Sequence, residues 1–157
     1  MSGSKGKMRG VLYFAYGSNL DERQMRERCP GARRHARATL PGHALAFGGF
    51  SHRWGGAVAS VMRKRGHEVA GLLYAIPRDE VAVLDRFEGS PYAYQRVTRI
   101  VVDERARRRR VQVYMQPEED FVRWSPAPQY FDVIQRAYLK HGFDRLALVL
   151  AVAGGPP

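Results

Sequence analysis

Cysteine is almost missing from this sequence. Cys29 stands alone in 157 residues, so no internal disulfide can form, and a reducing, cytoplasmic setting fits. Long apolar runs are missing too. No stretch approaches the roughly 18 to 20 apolar residues of a membrane-spanning helix, so no membrane is expected as a partner. The opening MSGSKGKMRG lacks the apolar segment of a secretory signal and reads as a disordered basic leader over 1–10, ahead of a single domain over 11–157. Histidine is sparse and scattered: His35, His43, His52, His67 and His141 form no i, i+4 pair and no ligand spacing, so no metal is expected. Neither a Walker A sequence nor G-x-G-x-x-G occurs, which leaves a nucleotide cofactor without support.

Acids are also scarce, 15 against 26 Lys and Arg, giving a formal charge of +11. That excess suggests a polyanion. Much of it, however, is arginine spread over turns and amphipathic segments. The densest run, Arg105 to Arg110, lies between two strand-like stretches and reads as a solvated hairpin tip. Nucleic acid is therefore not the expected partner.

What is present begins with Val11 to Asn19, VLYFAYGSN. Its first six residues have the aromatic and β-branched content of a buried strand, and Gly-Ser-Asn breaks it off. Asp21 to Arg28 then reads as a helix with acids in its first turn and bases in its last. Gly17, Ser18 and Asn19 thus lie between a strand end and a helix N-terminus, where free backbone N–H groups favour an anion. A turn that needs these residues for conformation alone is the other reading.

Farther on, Arg33 to Leu40 and His43 to Phe47 read as strands around a Pro41-Gly42 turn, followed by a polar loop with Trp54. Ala57 to Met62 and Val69 to Ile76 read as a strand pair joined by a basic turn at Lys64-Arg65-Gly66. Pro77 opens a helix that runs to about Phe87 and stops at Gly89. Tyr94 to Val102 and Val111 to Met115 are strand-like, and two helical stretches close the chain. The pattern is α+β: a mixed, strongly curved, barrel-like sheet with flanking helices, not a βαβ alternation.

Glu88 is the most informative single residue. Val81, Leu84 and Glu88 stand at i, i+3 and i+7, which puts a carboxylate on the apolar face of the helix, near its C-terminus. Burial and the macrodipole both disfavour the charge there and would raise its pKa toward what a general acid/base needs. Fraying at Gly89, with the side chain in solvent, is the competing reading. Cys29 has no base suggested near it, and Ser18 has no G-x-S-x-G context, so neither suggests a nucleophile. Tyr16, Tyr94 and Tyr114 sit in strands or at strand ends, where their hydroxyls could reach a shared cavity.

Taken together, FAYGSNL (Phe14 to Leu20), RWGGAVASV (Arg53 to Val61), EVAGLLYAI (Glu68 to Ile76), LDRFEG (Leu84 to Gly89), VYM (Val113 to Met115) and SPAPQY (Ser125 to Tyr130) resemble, in order, the γ-glutamylcyclotransferases. The resemblance implies that the α-amine of a small γ-glutamyl substrate attacks its own γ-amide, giving 5-oxoproline and releasing an amine or amino acid. It implies Glu88 as the catalytic acid/base. It further implies Tyr16, Gly17, Ser18, Asn19 and Leu20 as the loop that cradles the γ-glutamyl group, and Tyr94 and Tyr114 as cavity residues. No metal, cofactor or covalent intermediate is implied. Two alternatives stand beside it: deprotection of a γ-glutamyl-acylated amine or biosynthetic intermediate by the same chemistry, and a non-catalytic basic binding module. A homodimer is left open.

Overall fold

A computed structural model describes residues 10–154; apart from Gly10, the leader expected over 1–10 lies outside them. In chain order the elements are β1 (Gly10–Ala15), α1 (Glu22–Arg28), β2 (Arg33–Ser51), β3 (Gly56–Pro77), α2 (Arg78–Phe87), β4 (Gln95–Asp103), β5 (Arg108–Met115), α3 (Pro128–His141) and α4 (Leu146–Ala153). The five strands close a barrel in the order β1-β3-β2-β4-β5. Only the β1–β5 pairing is parallel, at Tyr13 opposite Gln112; the others are antiparallel. The α+β, barrel-like expectation is met.

β1 has a neighbour on each side, β3 and β5. Its last three residues, Tyr13, Phe14 and Ala15, are buried in succession, so both faces of the strand are covered there, which explains its apolar run in place of alternation. Tyr13, Phe14 and Ala15 are buried with Leu72 and Leu73 of β3 and Val111 and Val113 of β5. Where β1 ends, the chain leaves the barrel as Tyr16-Gly17-Ser18-Asn19. The site lies at this rim.

Two expected interruptions are bridged. The turn at Pro41-Gly42 does not end a strand: β2 runs through it, with a register shift between Pro41 and His43. The two stretches read as a strand pair around Lys64-Arg65-Gly66 are successive parts of β3, both antiparallel to β2. Gly42 and Gly66 take positive φ, 73° and 80°, so the turn chemistry is real but is spent on an irregularity in a long ribbon. The arginine-rich segment straddles the hairpin: Arg105 and Arg107 lie in its tip, whereas Arg108, Arg109 and Arg110, expected in the tip as well, open β5 and pair with Val102, Val101 and Ile100. The Asp103 carboxylate accepts from the amides of Arg105 and Arg107, both at 2.9 Å, and lies 3.6 Å from the Arg109 guanidinium.

The wall beside β1 allows no side chain at Gly71. A Cβ there would meet the Ala15 carbonyl oxygen and lie 2.5 Å from Phe14 Cζ. Gly71→Ala is therefore expected to cost on the order of 2 to 3 kcal/mol, read as a lower urea midpoint with an unchanged slope.

Candidate active site

Three groups meet at the rim: the turn after β1, the C-terminus of α2 and the aromatic side chains of Tyr94 just before β4, Tyr114 in β5 and Tyr130 in α3. The turn is a short 3-10 helix, Ser18–Leu20, closed by Leu20 N–H on the Gly17 carbonyl at 3.0 Å. Asp21 caps α1 by accepting from the amide of Arg23 at 3.1 Å, fixing the angle at which the helix leaves the turn.

α1 buries Gln24 and Arg28, one turn apart on the same face, and both reach back to the turn. Gln24 Nε2 donates to Ser18 Oγ at 2.8 Å and to Asn19 Oδ1 at 3.0 Å. Arg28 Nη1 donates to the same Asn19 oxygen at 3.2 Å. With its oxygen so engaged, the Asn19 amide nitrogen must face the other way. It donates to Tyr13 Oη and to Glu88 Oε1, each at 3.1 Å. Asn19 thereby uses both of its donors and both acceptor positions, and its orientation is determined. Tyr74 Oη donates to the Asn19 carbonyl at 3.0 Å and holds the backbone as well.

Glu88 is the residue that caps α2, its amide still bonded to Leu84 O at 3.0 Å, so the helix does not fray before it. The carboxylate is 14% exposed, and Arg28 Nη1 lies 3.8 Å away. Burial pushes its pKa from 4.5 to about 7, while the Arg28 charge and the Asn19 hydrogen bond pull the other way without cancelling it. The helical spacing of Val81, Leu84 and Glu88 thus predicted both the inward direction and the sign of the shift. The dominant cause is loss of water.

A cavity of about 40 Å³ sits against this carboxylate, lined by Gly17, Ser18 and Asn19 together with Tyr13, Tyr16, Ala59, Tyr94, Tyr114 and Tyr130. The structure therefore brings together all the residues named from the sequence except Leu20, whose side chain is buried in the core. The hydroxyls are largely committed to the wall. Tyr16 donates to the Tyr114 carbonyl, Tyr94 donates to the Ala59 carbonyl at 2.6 Å, and Tyr130 accepts from the Ala59 amide at 2.8 Å. Tyr114 turns its own hydroxyl to Asp85 Oδ1 at 2.6 Å, and Asp85 is held in turn by Arg96 at 2.9 Å. Burial, with the nearby Glu88 charge adding to it, holds the phenols of Tyr13 and Tyr16 well above their usual range, so both stay neutral.

Sequence reasoning missed Tyr13, Gln24, Arg28, Ala59 and Tyr130. The Gln24–Arg28 spacing was a usable signal, since i, i+4 polar residues flanking buried Met25 belong to one inward face. Tyr130 lay within the quoted SPAPQY stretch but was given no role. Cys29 is buried, and burial pushes its thiol up to about 11, which disfavours a thiolate nucleophile. Among the described residues no group of three or more His, Cys, Asp or Glu could hold a metal ion.

The arrangement is a carboxyl that burial pushes to about 7, set against a small cavity lined by Gly17, Ser18 and Asn19 of the turn. The model of the family described as "Gamma-glutamyl cyclotransferase, AIG2-like" matches residues 13–131. A mouse protein named gamma-glutamylcyclotransferase is 33% identical over 139 residues, covering 85% of this chain and 73% of that protein. A solved structure named gamma-glutamyl cyclotransferase superposes with a TM-score of 0.80 at 27% identity, covering 85% of this chain and 80% of the other. A structure of an uncharacterized human protein gives 0.79 at 28% identity over the same shares. The chain belongs to the gamma-glutamyl cyclotransferase, AIG2-like family.

Proposed function

We propose that this protein converts a small γ-glutamyl compound to 5-oxoproline and a free amine, with Glu88 as general acid/base. The observation that carries this is the buried Glu88 carboxyl, held by Asn19 at the cavity wall with its pKa brought to about 7. A carboxyl at its ordinary value would be too weak a base for an ammonium at neutral pH.

In the reaction, Glu88 takes a proton from the substrate α-ammonium. The freed amine attacks the γ-carbonyl carbon of the same molecule, closing a five-membered ring. Negative charge develops on the carbonyl oxygen, where amides of the 17–19 turn can meet it. The amide C–N bond then breaks as Glu88 returns a proton to the leaving nitrogen, and the ring nitrogen gives up its second proton through the same carboxylate to the departing amine, which leaves as its ammonium. No water is consumed, and nucleophile and electrophile come from one molecule. Positioning can therefore supply several kcal/mol, on the order of 7 for a well-aligned ring closure. Tyr16, Tyr94 and Tyr114 shape the wall that holds the substrate folded, and Arg28 keeps the ionised carboxylate accessible despite its burial.

The direct test incubates the protein with a panel of γ-glutamyl amino acids and γ-glutamyl amines and assays 5-oxoproline. Because Glu88 must be ionised to start the reaction, kcat/KM is expected to fall tenfold per unit below an inflection near pH 7. A flat profile from pH 5 to 8 would contradict its role as the base.

Where this chemistry takes place is a proposal of the same kind. No described helix is long and apolar enough to cross a membrane. Small size, metal-independent chemistry and a lone buried thiol support a cytoplasmic enzyme.

A further inference from the structure

We infer that Asp85 is a positioning residue for the reaction: it clamps the last turn of α2 to Tyr114 and Arg96, and the clamp sets where the Glu88 carboxyl stands. Its kinetic consequences rest on the proposed cyclotransferase activity.

The end of α2 is where such a clamp is needed. Among the described residues of the helix Leu84 alone is fully buried, with Val81 packed beside it. Past Leu84 the helix has no further buried side chain, and Arg86 and Phe87 are exposed. Apolar packing therefore grips the middle of α2 and leaves its last turn to polar ties. Near the start of the helix the Glu80 carboxylate accepts from the Gly31 amide through both oxygens, at 2.9 and 3.0 Å. Near the end, Asp85 Oδ1 accepts from Tyr114 Oη at 2.6 Å and from Arg96 Nε at 2.9 Å. Asp85 and Glu88 stand three residues apart and are neighbours on the helix surface, so what holds one orients the other. Immediately after Glu88, Gly89 turns the chain away at a φ of 64°, and no continuing helix steadies the carboxyl from that side.

The receiving end is braced. Tyr114 and Arg96 are directly opposite in the β4–β5 ladder, so Asp85 takes one hydrogen bond from each strand. Arg96 Nη1 continues to Gln112 Oε1 at 3.0 Å, and Gln112 Nε2 donates to Thr98 Oγ1, its own cross-strand neighbour, at 3.0 Å. The Arg96 pair is more than a third exposed on the arginine side, so solvent screens it and the Tyr114 bond carries most of the clamp. Tyr16 and Tyr94 give their hydroxyl protons to backbone carbonyls, whereas Tyr114 gives its own to a carboxylate, the stronger kind of bond. The Tyr114 ring packs edge-on against Tyr13, with centroids 5.7 Å apart, and Tyr13 Oη shares the Asn19 side-chain amide with Glu88. Glu88 is thus held from two sides, directly by Asn19 and through the helix by Asp85.

Three variants separate the hydrogen bond from the charge. Asp85→Ala removes both, Asp85→Asn keeps an oxygen for Tyr114 and Arg96 without the charge, and Tyr114→Phe removes the hydroxyl alone. The other groups that face Glu88 are the Arg28 guanidinium and the phenols of Tyr13, Tyr16, Tyr94 and Tyr130, all left in place. Asp85→Ala is expected to lower kcat for 5-oxoproline release by about 10- to 100-fold with little change in KM, the effect of a displaced reacting group. With the last turn released, water reaches Glu88, and its titration by carbon-13 NMR is expected to move from near 7 toward 4.5. Asp85→Asn is expected to recover most of both losses, and Tyr114→Phe to shift both in the same direction as Asp85→Ala. Wild-type kcat and titration in Asp85→Ala would overturn the inference. So would a titration shift of equal size in Asp85→Asn, which would assign the effect to charge, or a lower kcat with Glu88 still titrating near 7. Tyr114→Phe carries the test if Asp85→Ala fails to fold. The titration needs no turnover, so absence of 5-oxoproline from the wild-type protein would overturn the cyclotransferase reading while the clamp is still judged by the shift.

Discussion

Glu88→Gln is expected to lower kcat for 5-oxoproline release by about 10³-fold, within the usual range for a general acid/base, while the protein still folds. Glutamine keeps the shape and can still accept from Asn19, so the cavity persists without a group able to exchange a proton. The same variant carries a signature in stability. Folding raises the Glu88 pKa from 4.5 to about 7, so the folded state binds a proton that the unfolded chain has already released between those values. Stability from this carboxyl is thus present below about pH 4.5 and is lost progressively as pH rises to about 7. The loss is on the order of 3 kcal/mol. The stability difference, variant minus wild type, should grow in the variant's favour by roughly that amount between pH 4 and pH 8, as followed by chemical denaturation. A pH-independent difference would mean that the carboxyl is as well solvated in the fold as outside it.

Asn19→Leu is expected to have the largest effect on stability, a loss on the order of 3 to 4 kcal/mol from its hydrogen bonds alone. Leucine has the same branched arrangement of side-chain heavy atoms but bulkier methyl groups, so any overpacking adds to that loss. The Asn19 oxygen is shared by Gln24 and Arg28, and its nitrogen serves Tyr13 and Glu88. Removing it leaves a buried guanidinium and a buried carboxylate with only their 3.8 Å approach to each other. Because the Asn19 hydrogen bond lowers the Glu88 pKa, the acid limb of any residual kcat/KM profile should also move above pH 7. Thermal unfolding and the pH profile measure the two effects separately. An Asn19→Leu protein as stable as wild type would show that solvent, not this amide, satisfies the cluster.

The architecture was legible where burial imposes a period. β1, the α2 phase that turns Glu88 inward, and the hairpin around the arginine tip follow from local patterns. The pattern failed where a local signal is outvoted by long-range pairing: Pro41-Gly42 and Lys64-Arg65-Gly66 look like chain reversals, yet β2 and β3 absorb them as irregularities in one ribbon. A turn-forming pair constrains φ and ψ for two residues; the ladder pairings that β2 and β3 make on both sides of it decide the course of the strand. At the site, single-residue chemistry was readable and pairwise chemistry was not. Glu88, Asn19, Tyr16, Tyr94 and Tyr114 could be named, but the Arg28–Asn19–Glu88 chain joins α1 and the turn to a residue 69 positions beyond Asn19 and needs the barrel to assemble it. Arg28 also illustrates how two roles hide one another, since a base in the last turn of a helix already has an explanation in the macrodipole.

The account depends on a carboxyl that loses its proton near neutrality because the fold keeps water from it. The most direct measurement is a carbon-13 NMR titration of the glutamate side-chain carboxyls, with Glu88 assigned by its absence in Glu88→Gln. A resonance titrating near pH 7, matching the acid limb of kcat/KM, is the predicted result. Titration near 4.5 would contradict the account.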